Sequence, residues 1–241
     1  MKYSARILRW PILWLAASVM AAPPTISPAF GNEQLHYNID WPSGLALGEA
    51  TLSESGSQFQ SGPNTYSRLH LQFDLDAAVP GFTVSDYYDA QAAGDFCSSE
   101  FSRSTTHGAR KAADTTTFDP RTATAIRQTA AGSRTQMPAS ECSRDALTFL
   151  YYVRRELSEG RVPPPQTIFL GAPYEVRLDF AGTENIRIGD RPVEADRVTA
   201  SVKGPASSTN IDIFFLKDRA RTPALVRVPL ALGSFSMELV K

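Results

Sequence analysis

The sequence predicts a mainly β protein: a curled antiparallel sheet, or open β-barrel, of about ten strands wrapping one buried α-helix. Three observations carry this reading. Apolar and polar residues alternate with period two along most of the chain, Gly- and Pro-rich turns punctuate the alternation, and a single stretch shows helical spacing instead.

The first 31 residues are expected to be a cleaved secretory signal, with residues 32–241 forming one β-rich domain. Lys2, Arg6 and Arg9 precede an apolar run from Trp10 to Ala22, which is shorter than the roughly 20 residues a spanning helix needs. Small residues place the cut after Ala21 or after Gly31. No Cys ends the apolar run, so no lipid attachment is expected. The mature chain should be exported or periplasmic and should not span the membrane. A net charge of −1 without a long like-charge run argues against nucleic acid as a partner.

The strands follow in order. "LHYNIDW" sets Leu35, Tyr37, Ile39 and Trp41 on one face against His36, Asn38 and Asp40. "LHLQFDL" repeats the pattern from Leu69 to Leu75, and "YEVRLDF" from Tyr174 to Phe180. One dry and one wet face per strand is the habit of antiparallel sheets. Weaker alternation marks Leu45–Leu52, Phe82–Ala90, Phe96–Thr105, Ala123–Thr129, Asn185–Ile188, Val193–Val202, Ile211–Leu216 and Val226–Leu239. "PSG", "SGPN", "VPG", "AGTEN", "IGDRP" and "KGPASS" read as turns between them. The Thr- and Ala-rich stretch from Arg110 to Arg134 reads as edge strands joined by "DP", or as a partly disordered segment.

A helix is expected over about 144–158, where Ala146, Phe149, Leu150, Val153 and Leu157 recur at helical spacing. Ser143 suits its N-cap, Asp145 its positive end and Gly160 its stop. Leu147 and Tyr151 widen the apolar surface, so the helix should be mostly buried. Cys97 and Cys142, an even pair in an exported chain, favour a disulfide, two buried thiols being the alternative.

In the last strand, Val226, Val228, Leu230 and Leu232 hold one parity, and Phe235, Met237 and Leu239 the other. A β-bulge at Gly233 is expected to return both halves to one interior.

A single helix cannot cover a flat sheet of this width, so the sheet must cover itself as a sandwich or a barrel. Space between sheet and helix would suit an apolar or lipid-like ligand lined by Phe149, Tyr152, Phe214, Phe235 and Met237. Arg219 and Arg221, at a charged tip with Lys217 and Asp218, are candidate rim contacts for an anionic group. Neither a metal centre nor a cofactor is expected. No Gly-x-Ser-x-Gly elbow, His-Glu-x-x-His or phosphate-cradling glycine loop occurs. His36, His70 and His107 are far apart in sequence, and His36 and His70, at wet-face positions in strands, read as surface residues. The expectation is a non-enzymatic binder or carrier. A structural or protein-interaction module of the cell envelope is the alternative, with a carboxylate-based hydrolase behind it.

Three segments carry a family likeness: "YNIDWPSGLALGEATL", "DALTFLYYVRREL" and "FFLKDRARTPALVRVPLALGSFSMEL". Their motifs are Gly48-x-Ala50 in the first hairpin, the Leu/Tyr-rich helix from Asp145 to Leu157, and the turn with Asp218, Arg221 and Pro223. Together they resemble the exported bacterial proteins grouped as domain of unknown function 3108, from about Leu35 to Leu239. The resemblance implies export and no particular activity. The layout is also similar to that of envelope lipoprotein carriers, in which a curved antiparallel sheet wraps a helix and holds acyl chains; that likeness is one of fold.

Overall fold

Period-two alternation becomes a continuous antiparallel meander. The computed structural model describes residues 31–41, 43–61, 64–79, 81–230 and 233–240, so the expected signal lies outside the described residues except for Gly31. Strands β1 (Gln34–Asp40), β2 (Ala46–Ser61), β3 (Asn64–Val79), β4 (Phe82–Ala93), β5 (Ser98–His107), β6 (Arg110–Asp119), β7 (Thr124–Thr129) and β8 (Arg134–Pro138) pair in chain order. After β9 (Arg144–Asp145) and helix α1 (Ala146–Ser158) come β10 (Gln166–Phe169), β11 (Pro173–Ile188), β12 (Arg191–Lys203), β13 (Ser208–Leu216), β14 (Pro223–Leu230) and β15 (Gly233–Leu239). Pairing of β15 with β1 joins both runs into one sheet, which ends at β8 on one side and β9 on the other.

Among the described residues the sheet has fifteen strands where about ten were expected. The Arg110–Arg134 stretch accounts for part of the difference: it forms edge strands, joined by tight turns, despite its small apolar weight. The short β9 and β10 account for another part. β9 pairs with β10 in parallel, and this pairing keeps Arg144 and Asp145 out of the helix. "AGTEN" is not a turn between strands. It lies inside β11, where Gly182 at φ 118° sits at a register shift that bends the strand without ending it.

The C-terminal parity change has a simpler cause than a bulge. β14 and β15 are two strands of one hairpin, with Leu230 opposite Gly233, Val228 opposite Phe235 and Val226 opposite Met237. Directly opposed residues share a face, so both halves feed the same side, as expected, but by chain reversal.

Register shifts at Ile39/Asp40, Gln91/Ala92, Phe180/Gly182 and Phe214/Phe215 add local twist and help the sheet curl. Gly48 lets two strands approach closely. A Cβ placed there would lie 2.0 Å from the Asp76 carbonyl oxygen, which gives the Gly48-x-Ala50 motif a physical reason. The curl brings distant strands together: the rings of Phe118 on β6 and Phe169 on β10 meet edge to face at 5.3 Å. Ala125 and Met137 complete that small cluster, yet β8 and β9 do not pair, and the sheet stays open at a seam.

Helix α1 fills the interior. Asp145, not Ser143, is its N-cap: the buried carboxylate accepts from the Leu147 and Thr148 N–H groups, both at 2.9 Å, and from the Thr148 and Ser98 hydroxyls, both at 2.6 Å. Ser143 instead turns its hydroxyl to Ser140. At the other end Gly160 takes φ 75°, and Arg161 N–H reaches back to the Glu156 carbonyl at 2.9 Å, closing a Schellman stop. The helix divides the core. Leu147 and Tyr151 pack against β1–β5 with Tyr37, Leu52, Leu71 and Phe101, while Phe149, Val153 and Leu157 pack against β10–β13 with Ile168, Val176, Val198 and Phe215. The disulfide joins Cys97 to Cys142 with Cα atoms 4.7 Å apart and ties the approach to the helix to the start of β5.

Candidate functional site

The seam holds a reachable pocket of about 560 Å³. Pro138 at the end of β8, Cys142 and Arg144 before the helix, Tyr152 on α1, and Gln166 and Phe169 on β10 line it. Helical spacing turns Tyr152 outward from the Leu147–Tyr151 face, and the β9–β10 pairing holds Arg144 beside it. The Arg144 guanidinium lies 3.8 Å from the Tyr152 ring centroid, close enough for cation–π attraction. Its Nη1 donates to Gln166 Oε1 at 2.9 Å and its Nη2 to the Cys142 sulfur at 3.5 Å. Its Nε is buried and has no hydrogen-bond partner among the described residues. Burial holds the Arg144 pKa below its ordinary value, a sign that the charge is poorly hydrated. A desolvated guanidinium with donor capacity to spare, bordered by an aromatic ring and prolines, fits one end of an amphipathic anion. A larger open groove of about 810 Å³ shares Gln166 and Thr167 with the pocket and runs past Glu175, Arg177 and Lys203.

Of the five residues expected to line a cavity, Tyr152 reaches this pocket. Phe149 is buried beside it, with ring centroids 6.4 Å apart. Phe235 packs edge to face on Trp41 at 4.8 Å, and Met237 packs against the same cluster. Phe214 stands apart. It follows the opposite parity to Phe215 and lies in a separate cluster with Ile186, Ile188, Ala224 and Leu225. Arg221 is ion-paired with Asp196 at 2.7 Å, while Arg219 is exposed at the same tip. Neither arginine borders the seam pocket. The histidines meet polar neighbours on the wet face: His70 lies 2.7 Å from Asp89, His107 2.8 Å from Asp86, and His36 3.2 Å from Thr51 Oγ1. No group of three or more His, Cys, Asp or Glu suited to a metal ion occurs among the described residues.

A second polar assembly was not foreseen. Arg154 is fully buried and grips the Glu33 carboxylate with both Nη atoms, one of them at 2.9 Å; its Nε donates to the Ala220 carbonyl at 3.0 Å. Burial opposes its charge, but Glu33 outweighs burial and the pKa rises. Tyr151 lies under the guanidinium at 4.7 Å, and Tyr37 donates to the Pro223 carbonyl at 2.9 Å. Beside them Glu54 is 2% exposed. Burial pushes its carboxyl pKa up, against the Asn32 N–H that donates to Oε2 at 3.2 Å. The one sequence signal was helical phase, since Arg154 shares a face with Leu147 and Tyr151.

The model of a family described as "Protein of unknown function (DUF3108)" matches residues 35–240. The chain belongs to that family. The family span includes Arg144, Tyr152, Arg154 and Glu54, and begins just after Asn32 and Glu33. No curated protein matches the chain. Among solved structures, the family member is similar to a β-barrel-like protein of domain of unknown function DUF1849 from Brucella abortus, with a TM-score of 0.59 and 9% identity over 88% of this chain and 97% of that one. At that identity the likeness concerns the fold alone. No helix among the described residues is long and apolar enough to cross a membrane.

Proposed function

We infer that the chain is an exported envelope protein that binds, without altering it, an apolar or lipid-like ligand bearing an anionic end, and that the ligand sits in the seam pocket. The carrying observation is Arg144 stacked on Tyr152 beside Phe169 and Pro164, with its Nε unpartnered among the described residues. The pocket volume falls in the usual range for small-molecule sites, roughly 300–1,000 Å³. The disulfide supports export, because such bonds persist in oxidising compartments. An organic extract of the purified protein, read by mass spectrometry, should contain an acyl species. A long-chain carboxylate should raise the thermal midpoint where the matching alcohol does not, and Arg144→Ala should abolish the shift. A clean extract with no shift from either probe rejects the reading.

A second reading, an interaction module without a small ligand, draws on the sheet edge. Among the described residues β8 pairs with β7 alone, so its other side offers backbone groups to a partner strand. Recovery of a stoichiometric envelope protein and no lipid would favour it.

A further inference from the structure

We propose that the chain is cut between Gly31 and Asn32, and that the new amino terminus docks on the buried Glu54 carboxylate. This rests on the export reading above. Two cuts fit the small-residue rule, and the residues flanking the later one bear on the choice. Asn32 is tied to β2: its N–H donates to Glu54 Oε2 at 3.2 Å, and its Oδ1 accepts from Gly56 N–H at 3.1 Å. The next residue, Glu33, accepts from Glu54 N–H through its carbonyl at 3.0 Å and is held by Arg154 through its side chain. Gly31, by contrast, is exposed, and a Cβ placed on it would meet nothing within 4 Å.

Glu54 supplies the independent observation. It is 2% exposed, and its Oε1 has no hydrogen-bond partner among the described residues. A buried carboxylate oxygen without a donor is costly. Hydrolysis by an endopeptidase of the export machinery removes the deficit. Water adds across the Gly31–Asn32 peptide, the C–N bond breaks, the Gly31 carbonyl carbon takes the hydroxyl, and the Asn32 nitrogen takes the hydrogen. That amine then binds a proton from solvent, as α-amino groups do near neutral pH. One amide N–H becomes an ammonium with three donors and a positive charge, at a nitrogen already 3.2 Å from Glu54. Arg154 is engaged by Glu33, so Glu54 is the carboxylate the ammonium meets.

The test has two arms. The full-length chain is expressed in a bacterial host, and the envelope form is subjected to N-terminal sequencing, with Asn32 expected first. A start at Ala22 overturns this inference and leaves export standing, whereas an intact chain in the cytoplasm overturns both. In the second arm, chains made to begin at Asn32 and at Ala22 are compared by thermal unfolding. The Asn32 form should melt about 2–4 °C higher, the shift expected per kcal/mol at this size, and Glu54→Gln should close the gap. Equal midpoints without that substitution overturn the docking.

Discussion

Arg154 and Arg144 both belong to the helix region, and their surroundings assign them opposite work. Arg154 lies on the face toward β1–β5, is fully buried, and has each side of its guanidinium committed to Glu33 or the Ala220 carbonyl. Arg144 lies at the seam, rests on Tyr152, and keeps an Nε with no partner among the described residues. The first joins three remote pieces of chain: the residue before β1, the helix, and the turn before β14. The second is not saturated, and its residue borders a pocket that solvent or a ligand can reach. The difference sets a charge that the fold saturates against one that it leaves partly unsatisfied beside a pocket, where the proposed ligand would meet it.

The largest effect should come from breaking the saturated pair. Arg154→Ala strands the Glu33 carboxylate, frees the Ala220 carbonyl and removes the cation over Tyr151, at an expected cost of about 3–5 kcal/mol for a buried pair broken on one side. Arg144→Ala should cost within about 1 kcal/mol, since part of its guanidinium is not satisfied in the first place. Denaturant unfolding of both variants measures the contrast, and similar losses would collapse it. Next in size is the disulfide. Replacing Cys97 and Cys142 with Ala opens a 45-residue loop and should remove about 2–4 kcal/mol. Because Cys142 borders the seam pocket, ligand affinity should fall along with stability, whereas Arg154→Ala should change stability while leaving the affinity of the remaining folded protein intact.

Much of the architecture was legible because it is written locally. Alternation from Leu69 to Leu75 locates β3, helical spacing from Ala146 to Leu157 locates α1, and the even Cys pair locates the disulfide. What was not legible depends on remote pairing. Glu33 and Arg154 are separated by 121 residues, and no local pattern joins a carboxylate before the first strand to an arginine inside the helix. The hairpin between β14 and β15 was missed for a subtler reason. A parity change is the same in sequence whether an extra residue bulges or the chain turns back, and only pairing of Val226 with Met237 separates the two. Phe214 shows the reverse limit: its size and neighbours resemble those of Phe215, but one step along a strand sends it to the other face. Of the candidate site, Tyr152 was legible as an aromatic on a buried helix. Arg144 was not, because its value comes from β9 pairing with β10.

A smaller effect should appear in pH. Burial raises the Glu54 pKa above its ordinary 4.5 when Asn32 is an amide. The folded state then binds this proton more tightly than the unfolded state, so the contribution is fully present below about 4.5 and is lost as pH rises through the folded value. Glu33, Arg154, Tyr151, Tyr37 and the Asn32 N–H face the same space; the backbone hydrogen bonds from Asn32 and Glu33 and the Arg154 charge pull the pKa down, and the Glu33 charge pushes it up. In a chain that retains residues before Asn32, Glu54→Gln should therefore be more stable relative to the parent at pH 7 than at pH 4.5. Unfolding curves at the two pH values check this, and a constant difference would show that Glu54 has no raised pKa.

The smallest effects belong to the charged tip, and they locate the site. Arg221 takes the left-handed conformation at φ 49° and pairs with half-buried Asp196, while Thr222 donates to Asp218 through both N–H and hydroxyl, so this turn is held by its own residues. Arg221→Ala should cost up to about 1 kcal/mol, as partly exposed pairs do. Arg219 is exposed, and Arg219→Ala should fall within about 0.5 kcal/mol of the parent. Its effect on binding is the more telling measurement. If the anionic end of a ligand rests on Arg144, removal of Arg219 leaves the thermal shift from a long-chain carboxylate unchanged, whereas a loss equal to that of Arg144→Ala would move the site from the seam to the rim.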